Sequence, residues 1–266
     1  MTVSAQPKTA FNAPWSPELA AAIEQQQGNY RLRLARPDEL DAVFNLRFRV
    51  FNLELDEGLE AAYATERDED GFDRQCHHLL VEALDTGHIV GTYRMQSRAM
   101  AQAGAGFYSA AEFDINALGD TVLSRSVELG RACIEIEHRN TRVLFLLWRG
   151  LAAYMLAGDH RWFFGCCSLT SQDPLEGHRL HRKLRDTNML DPVHEVSVQP
   201  DYRCDGADDG GKAPKLPKLM RLYLAYGARI ASGPALDAEF GTVDYLALFD
   251  LETLSEQHRH MFLEPA

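Results

Sequence analysis

Glu128 and Arg131 are two charged residues inside an otherwise apolar stretch, SVELGRACI, at residues 126–134. Charges are seldom placed in a buried strand without partners, so these two form either a structural ion pair or part of a site. Side chains alternate along a strand, and residues three apart point to opposite faces. A bulge at Gly130 would bring both to one face and would free backbone N–H groups that can bind a ligand carbonyl. The stretch alone leaves both interpretations open.

The segment HRNTR, at residues 138–142, is a second candidate because it enters a predicted helix. A helix start carries unpaired N–H groups and the positive end of the helix dipole, which suit a phosphate. Arg139 and Arg142 would add positive charge, and Asn140 or Thr141 would cap the helix. Capping beside surface arginines is the commoner explanation of such a segment. Its place directly after the strand that holds Glu128 favours a site.

Charged residues beside apolar segments also occur earlier in the chain. Arg47 lies in NLRFRVF and Arg94 in VGTYRM. A lone arginine of this kind is usually a rim residue with a buried stem, but several together indicate more than that. Asp70 and Asp73, in DEDGFD, could bind a cationic amine or calcium, although the EF-hand spacing of calcium ligands is absent.

Histidine and cysteine pairs do not form a metal motif. His77-His78 and the HRLH segment at residues 178–181 lack a matching set of cysteines and histidines, so we predict no metal site. Cys166 and Cys167 lie in a hydrophobic segment with no evident base, which indicates core positions rather than a nucleophile.

Composition limits the class of protein. The chain has 266 residues, 45% of them hydrophobic, and a net charge of -12, which argues against nucleic-acid binding. Acids dominate residues 54–73 and bases residues 212–229; the basic segment could steer an acidic partner, although two solvated surface segments explain the same pattern more simply. Five cysteines without a CxxC pair, no secretory signal and no bilayer-length apolar run predict a cytoplasmic protein.

Strands and helices alternate along the chain and must position these residues. We predict strands at residues 30–36, 76–84, 88–96, 124–136, 161–169, 193–199 and 242–251, and helices opening at Ser16-Pro17-Glu18 and at Pro37 and spanning 141–157, 174–188 and 218–230. The helix at 141–157 is apolar almost all round, so it should be buried on more than one side. The pattern predicts one α/β or α+β domain on a mixed sheet, at residues 30–251, with a tail and short helix at 1–29 and a tail at 252–266.

An ordered set of motifs resembles the bacterial ornithine-lipid N-acyltransferases, which are also described as hemolysin-like GNAT proteins. The motifs are LRFRVF (46–51), DGFD (70–73), GTYRM (91–95), FYSAAEFD (107–114), ELGRACI (128–134), LLWRGLAAY (146–154) and FGCCS (164–168), with a later match over 216–250. The resemblance implies a GNAT-like fold with a mixed, mostly antiparallel sheet flanked by helices. It also implies transfer of a 3-hydroxy fatty acyl group from acyl carrier protein to the α-amine of ornithine, giving lyso-ornithine lipid.

The family is related to the acyl-homoserine-lactone synthases, and the resemblance implies the site residues. The matching positions are Arg47, Phe51, Asp70, Asp73, Arg94, Glu128 and Arg131, and Phe113 joins them as a predicted substrate-binding residue. Glu128 would act as base or position the amine, and Arg131 would hold Glu128 and bind the acceptor carboxylate or the donor. Backbone N–H groups at Gly130–Ala132 would stabilise the oxyanion, and Asp70 with Asp73 would receive the acceptor's cationic end.

The donor site departs from acetyl-CoA-using GNAT enzymes, which carry a glycine-rich loop where this chain reads HRNTR. That loop lets the backbone approach a pyrophosphate, whereas the phosphopantetheine of a carrier protein presents one phosphodiester. We therefore predict that Arg139, Asn140, Thr141 and Arg142 hold this phosphate and that no cofactor is tightly bound. Acyl carrier proteins are acidic, so the basic segment would bind the carrier through Lys215, Lys218 and Arg221.

Two alternatives stay open from the sequence. One is a different acyltransferase: an enzyme with another amino-acid acceptor, a lactone-forming synthase or a CoA-dependent acetyltransferase. The other is a membrane-binding protein without enzymatic activity, with residues 216–230 as an interfacial helix. Peripheral contact with the inner membrane would also suit the enzyme, because its product is an amphiphile.

Overall fold

Six of the seven predicted strands pair into one mixed sheet in the computed structural model, which describes residues 13–263. The strands are β1 (Gln25–Gln27), β2 (Tyr30–Leu34), β3 (His77–Ala83), β4 (His88–Ser97), β5 (Ser126–Ile134), β6 (Trp162–Leu169), β7 (Arg229–Ile230), β8 (Ala235–Asp237) and β9 (Thr242–Asp250). Their order is β1-β2-β3-β4-β5-β6-β9-β7, with β8 also paired to β9. Every pair is antiparallel except β5 with β6. The predicted mixed, mostly antiparallel sheet is thus confirmed.

Helices flank both faces of this sheet. They are α1 (Pro17–Ile23), α2 (Leu40–Phe48), α3 (Arg98–Ala103), α4 (Gly119–Leu123), α5 (Thr141–Ala157), α6 (Pro174–Asp186), α7 (Lys218–Ala225) and α8 (Glu256–Leu263). Side-chain caps fix several starts: Ser16 accepts from the Leu19 N–H at 3.1 Å, and Asn140 accepts from the Val143 N–H at 3.1 Å. None of the helices in this part of the chain is long and apolar enough to cross a bilayer.

The alternation of β3 shows how the core is divided. Leu79 and Val81 face the cluster that surrounds α5, whereas Leu80 faces the opposite side and packs with Phe44 of α2. Helix α5 is buried on several sides, as its sequence predicts, because it contacts the sheet as well as α1 and α8. The two faces therefore differ: one carries α5, and the other carries α2 and the segment before β3.

Two predicted elements differ most from the structure. Residues 193–199 form no strand and make only isolated bridges, at Val196 and Val198, because their segment leaves the sheet between α6 and α7. Helix α7 ends at Ala225 rather than at residue 230, because Gly227 has a positive φ of 110° and the chain then enters β7. The helix predicted from Pro37 is present: a 3-10 turn at Pro37–Glu39 leads into α2, which continues into a π-helical turn at Arg49–Glu54 that carries Phe51.

The two predicted tails are only partly described. Residues 1–12 and 264–266 lie outside the described residues. The short helix predicted at Ser16-Pro17-Glu18 is present as α1, and β1 adds a strand before Tyr30. In the segment predicted as a C-terminal tail, α8 packs on α5 through Phe262 and Trp148, whose ring centroids are 5.6 Å apart. The domain boundaries themselves stay a prediction.

Candidate active site

A β-bulge interrupts the pairing of β4 with β5. The pairs Arg94–Gly130 and Thr92–Cys133 leave one residue on β4 opposite two on β5. The first of these two, Arg131, has a φ of 46°, in the left-handed region that non-glycine residues seldom adopt. The predicted distortion near Gly130 is confirmed, although Arg131 and not the glycine takes the left-handed conformation.

The bulge places Glu128 and Arg131 on one face of the strand. Glu128 pairs with Gln96 of β4, and its neighbours Val127 and Leu129 face the α5 side. Regular alternation would turn Arg131 toward α5 as well. Its guanidinium instead contacts Asp70, in the segment before β3 on the same side as Glu128. The bulge therefore explains how two residues three positions apart in a strand lie on the same face.

Arg47 lies at the centre of a buried ion network. Its side chain is 0% exposed and donates to Asp68 at 2.6 Å and to both carboxylate oxygens of Asp73 at 2.6 and 3.1 Å. Burial alone would raise the pKa of Asp73, but Arg47 and Arg94 hold it well below its ordinary value. The Asp73 carboxylate is thus already bound by guanidinium groups, and its predicted role toward an amine is not favoured by this geometry.

Arg94 and Arg131 extend the network toward Glu128. Arg94 donates to Asp70 at 2.7 Å and to Asp73 at 3.0 Å, and Arg131 donates to Asp70 at 3.0 Å. The guanidinium of Arg131 also lies 5.1 Å from the ring centre of Tyr108 and 4.3 Å from that of Phe240. These contacts fix the Arg131 side chain between two aromatic rings.

Glu128 is held differently, by backbone donors. Its carboxylate oxygens accept from the N–H groups of Tyr108 and Ser109 at 2.9 and 2.7 Å. Burial raises the pKa of Glu128, although these two donors oppose the shift. No salt bridge to Glu128 occurs among residues 13–263, so the predicted contact from Arg131 to Glu128 is not formed. A cavity of about 10 Å³, close to the volume one water needs, lies against Glu128, Gln96 and Gly130.

The strands β5 and β6 separate directly after Glu128. Their parallel pairing covers Ser126–Trp162, Val127–Phe163 and Glu128–Phe164 and then stops. A Cβ added to Gly165 would lie 2.2 Å from the backbone oxygen of Leu129, so only glycine fits at the point of separation. Beyond it, the edge of β5 that contains the bulge is no longer paired with β6, and we call the space between these two strands the cleft. A substrate carbonyl could enter there beside Glu128.

Comparison with known proteins assigns the family. A profile of the acetyltransferase (GNAT) domain matches residues 46–149. The L-ornithine N(alpha)-acyltransferase of Brucella abortus (strain 2308) is 34% identical over 258 aligned residues, and the match covers 90% of this chain and 90% of that protein. The protein of the same name from Rhizobium meliloti (strain 1021) is 35% identical, with 88% of this chain and 84% of that protein covered.

The chain belongs to the L-ornithine N(alpha)-acyltransferase family. The predicted family and the prediction of an acyltransferase are therefore confirmed. Among solved structures, a CoA-dependent acyl-homoserine lactone synthase, MesI, is similar at a TM-score of 0.50 and 14% identity, with 89% of this chain and 97% of that chain covered. At this identity the similarity bears on the fold alone, and it agrees with the GNAT-like sheet.

The residues that we predict to bind the acyl donor lie in two exposed regions of this family member. Asn140 caps α5, Thr141 is its first residue, and Arg142 is exposed on its first turn. Arg139 binds the carboxylate of Glu54, with one contact of 2.8 Å, and the carbonyl oxygen of Ile134. The second region lies at the start of α7, where three basic side chains are exposed. We call it the basic surface, and it consists of Lys215, Lys218 and Arg221. Their roles toward a donor stay a prediction.

The two predicted aromatic residues have different environments. Phe51 is partly exposed and packs with Val50 and Cys133, next to the bulged part of β5. Phe113 is 0% exposed and lies in the core beneath β6 with Phe164 and Val196. The structure thus brings Phe51 to the candidate site, whereas Phe113 has the environment of a core residue.

Several contacts in this acyltransferase site had no predicted role. Tyr108 and Ser109 supply the donors to Glu128, Asp68 completes the ion network, and Phe240 covers Arg131. Tyr108 and Ser109 belong to the motif FYSAAEFD, so their position in an ordered motif was the available signal. No such signal marked Phe240 in the sequence, because its turn lies far along the chain from β5.

Proposed function

We propose that this acyltransferase moves a 3-hydroxy fatty acyl group from acyl carrier protein to the α-amine of ornithine, giving lyso-ornithine lipid. The acceptor follows from relatives named L-ornithine N(alpha)-acyltransferase that span most of both chains. The donor and the product are our inference from the residues. The reaction is a direct transfer without a covalent enzyme intermediate.

The observation that carries the proposal is the setting of Glu128. Its carboxylate is buried, is held by two backbone donors and lies where β5 and β6 part. Burial raises its pKa, which makes it a better proton acceptor than an ordinary carboxylate. An amine in the cleft would be deprotonated by Glu128, either directly or through one water in the adjacent cavity.

The chemical step then requires no further protein nucleophile. The free amine attacks the thioester carbonyl, a C–N bond forms, and the tetrahedral oxyanion expels the pantetheine thiolate as the C–S bond breaks. Backbone N–H groups of Gly130–Ala132, at the bulge, would stabilise the oxyanion. The proton taken by Glu128 can pass to the leaving thiolate, which regenerates the carboxylate. The carboxylate then takes the second proton from the acylated nitrogen, giving the neutral amide, and releases it to water.

Carrier-protein thioester is the donor that the surface favours. The segment before α5 reads HRNTR and lacks the glycines that would admit a pyrophosphate, whereas Arg142 and the start of the helix suit a single phosphodiester. The exposed basic surface at α7 would attract an acidic carrier protein to a chain whose net charge is -12. We propose that acyl carrier protein is the partner and that no cofactor is tightly bound.

We also propose a cytoplasmic enzyme that contacts the inner membrane peripherally. An acylated amino acid is an amphiphile, so release of the product at a membrane surface would be favourable. Co-sedimentation with anionic liposomes, with and without acyl transfer, tests this contact. Complete recovery in the supernatant would overturn it.

Expression in a bacterium without ornithine lipids, followed by lipid mass spectrometry, tests the reaction. The expected product has the mass of a 3-hydroxyacyl group joined to ornithine, and purified enzyme should use acyl carrier protein thioester in preference to acyl-CoA. A product with another amino acid would correct the acceptor, and equal use of acyl-CoA would overturn the donor. A lactone product would replace the reaction itself.

A further inference from the structure

Three ionisable side chains form a second cluster beside Arg131. Glu112, Cys166 and Asp244 each direct one oxygen or sulfur atom into a group whose members lie within 4.8 Å of one another. Glu112 ends the turn that carries Ser109, Cys166 lies on β6 just after the separation from β5, and Asp244 lies on β9. The cluster is thus assembled from three distant segments at the wall of the cleft.

Two carboxylate oxygens of this cluster lack a partner. Glu112 is 1% exposed and Asp244 is 4% exposed. Within the described residues, Oε2 of Glu112 and Oδ1 of Asp244 accept no hydrogen bond. A buried carboxylate without a donor is costly, so such atoms usually bind a ligand or a proton. Burial, together with repulsion between neighbouring acids, raises the pKa of Glu112 to about 9 and that of Asp244 to about 6, so unpaired negative charge is unfavourable in this cluster.

A short series of contacts connects the cluster to Glu128, the candidate base. The N–H of Ser109 donates to Glu128 at 2.7 Å, and the hydroxyl of Ser109 lies 3.6 Å from the Cys166 sulfur. The Cys166 thiol lies 3.4 Å from Oε1 of Glu112. The turn at Tyr108–Ala111 therefore binds Glu128 through its backbone N–H groups and carries Glu112 at its end. An acceptor with two amino groups could reach both carboxylates from the same cleft.

Charge balance separates this cluster from the ion network. In the network Asp68, Asp70 and Asp73 face three guanidinium groups. No salt bridge to Glu112 or Asp244 occurs in residues 13–263, so no arginine or lysine in this part of the chain binds these acids directly. We propose that Glu112 and Asp244 bind the cationic side chain of the amino-acid acceptor while its α-amine lies at Glu128. This assignment rests on the proposed function, because it names the part of the site that selects a diamino acid.

An ammonium group fits the cluster better than a metal ion. Its three N–H donors match several acceptors, and hydrogen bonds of about 2.8 Å from one nitrogen can span oxygens separated by several ångströms. A transition metal would require the Cys166 thiolate, but burial raises the pKa of this thiol well above its ordinary value, and Glu112 adds to the shift. The side-chain amine of the acceptor is therefore the occupant that the donor atoms favour.

Norvaline is a suitable probe because it is ornithine without the side-chain amine. The experiment measures kcat/KM for both amino acids with purified wild type, Glu112→Gln, Asp244→Asn and the double variant, with Glu239→Gln as a control for an exposed acid on the neighbouring turn. We expect the double variant to lose at least 10-fold on ornithine and less than 2-fold on norvaline, so that the preference for ornithine collapses. Glu239→Gln should keep the wild-type preference.

Three results would overturn the assignment. The first is an equal fold loss of kcat/KM on both amino acids, and the second is a wild-type kcat/KM on both. The third is loss of activity on chelation that is restored by a divalent metal ion, since it would assign the cluster to a metal. If wild type acylates neither amino acid, the proposed function fails instead. Melting temperatures with and without ornithine, for each single variant, provide a reading that requires no turnover: stabilisation of wild type but not of the variants supports the site.

Discussion

Glu128 and Arg131 face the same side of β5 but bind different partners. Glu128 accepts from the backbone of Tyr108 and Ser109, whereas Arg131 donates to Asp70 and lies between two aromatic rings. The Arg131 charge is thus neutralised inside the ion network, and the Glu128 charge is not. A carboxylate left uncompensated beside a cleft can accept a proton from an incoming amine, which a carboxylate bound to arginine does poorly.

Glu128→Gln should lower kcat at least 100-fold, because general-base catalysis typically contributes about 100-fold to 10,000-fold. The amide keeps the shape of the side chain but offers one acceptor to the two N–H donors of the turn, so the melting temperature should fall modestly while the protein stays folded. Steady-state kinetics and thermal melts of the purified variant provide both readings. Glu137→Gln, an exposed acid shortly after the same strand, should behave as wild type. A Glu128→Gln enzyme with full turnover would remove Glu128 from the mechanism.

Arg47→Met should destabilise the fold by about 3–5 kcal/mol, because it removes the shortest ion pairs of the buried Asp68 and Asp73. Urea unfolding at neutral pH measures this free energy. Arg36→Ala breaks ion pairs of an exposed arginine with Asp38 and Glu39, and it should cost less than about 1 kcal/mol. Equal effects of the two substitutions would contradict a buried network.

His77 and His78 should make the fold less stable as the pH falls from about 6.5 to 4. Burial lowers the pKa of each to about 4, whereas the unfolded chain takes up protons near 6.5. Between these values the unfolded state binds more protons, so the free energy of unfolding decreases with decreasing pH. His77→Gln should flatten this dependence in urea unfolding at pH 7.5 and pH 5, and exposed His88→Gln should not. The same slope in all three proteins would show that burial of the imidazole is not the cause.

Gly165→Ala should destabilise the protein by about 2 kcal/mol or more and reduce turnover, because the added Cβ would lie 2.2 Å from the Leu129 oxygen. The backbone would have to shift at the point where β5 and β6 separate. Gly233→Ala is the matched control, since an added Cβ there has no atom within 4 Å. Melting temperature and kcat of both variants give the comparison. A stable and active Gly165→Ala variant would mean that this close approach is not required.

Charge reversal of the basic surface should weaken use of the carrier-protein donor. A triple variant with Lys215, Lys218 and Arg221 changed to glutamate should raise KM for acyl carrier protein thioester about 10-fold or more, and this effect should exceed the effect on kcat. Added salt should reduce the difference from wild type, because exposed charges are screened. Arg36→Glu, an exposed arginine on another part of the surface, serves as the control. An unchanged KM in the triple variant would place the carrier protein elsewhere.

The spacing of charges along one strand predicted more of the site than the bulk composition did. Glu128 and Arg131 could share a face only if the strand was distorted, and the bulge at Arg131 is that distortion. The fold followed from alternating and apolar segments, because they specify one buried face for each strand and helix. The order of motifs supplied the family, which single motifs could not have done.

Contacts between distant segments could not be predicted in this way. Asp68 stood in the acidic run between Glu54 and Asp73, where nothing distinguished a fully buried carboxylate from solvated neighbours. The segments that hold Glu112 and Asp244 gave no spacing signal, because their proximity arises only when β6 and β9 pair. The strand predicted at residues 193–199 was also wrong because of tertiary packing. Its alternating residues form only isolated bridges, at Val196 and Val198.

The turn that carries Phe240 over Arg131 joins the last two strands of the sheet. A chain emerging from the ribosome can form β2 to β5 and the arginine–aspartate network before this turn exists, because domains fold from the N-terminal side during synthesis. Asp244 and the strand that closes the sheet beside β6 also arrive late. A nascent chain therefore holds its candidate site incomplete until β9 has emerged, so the topology delays activity until that strand has been synthesised.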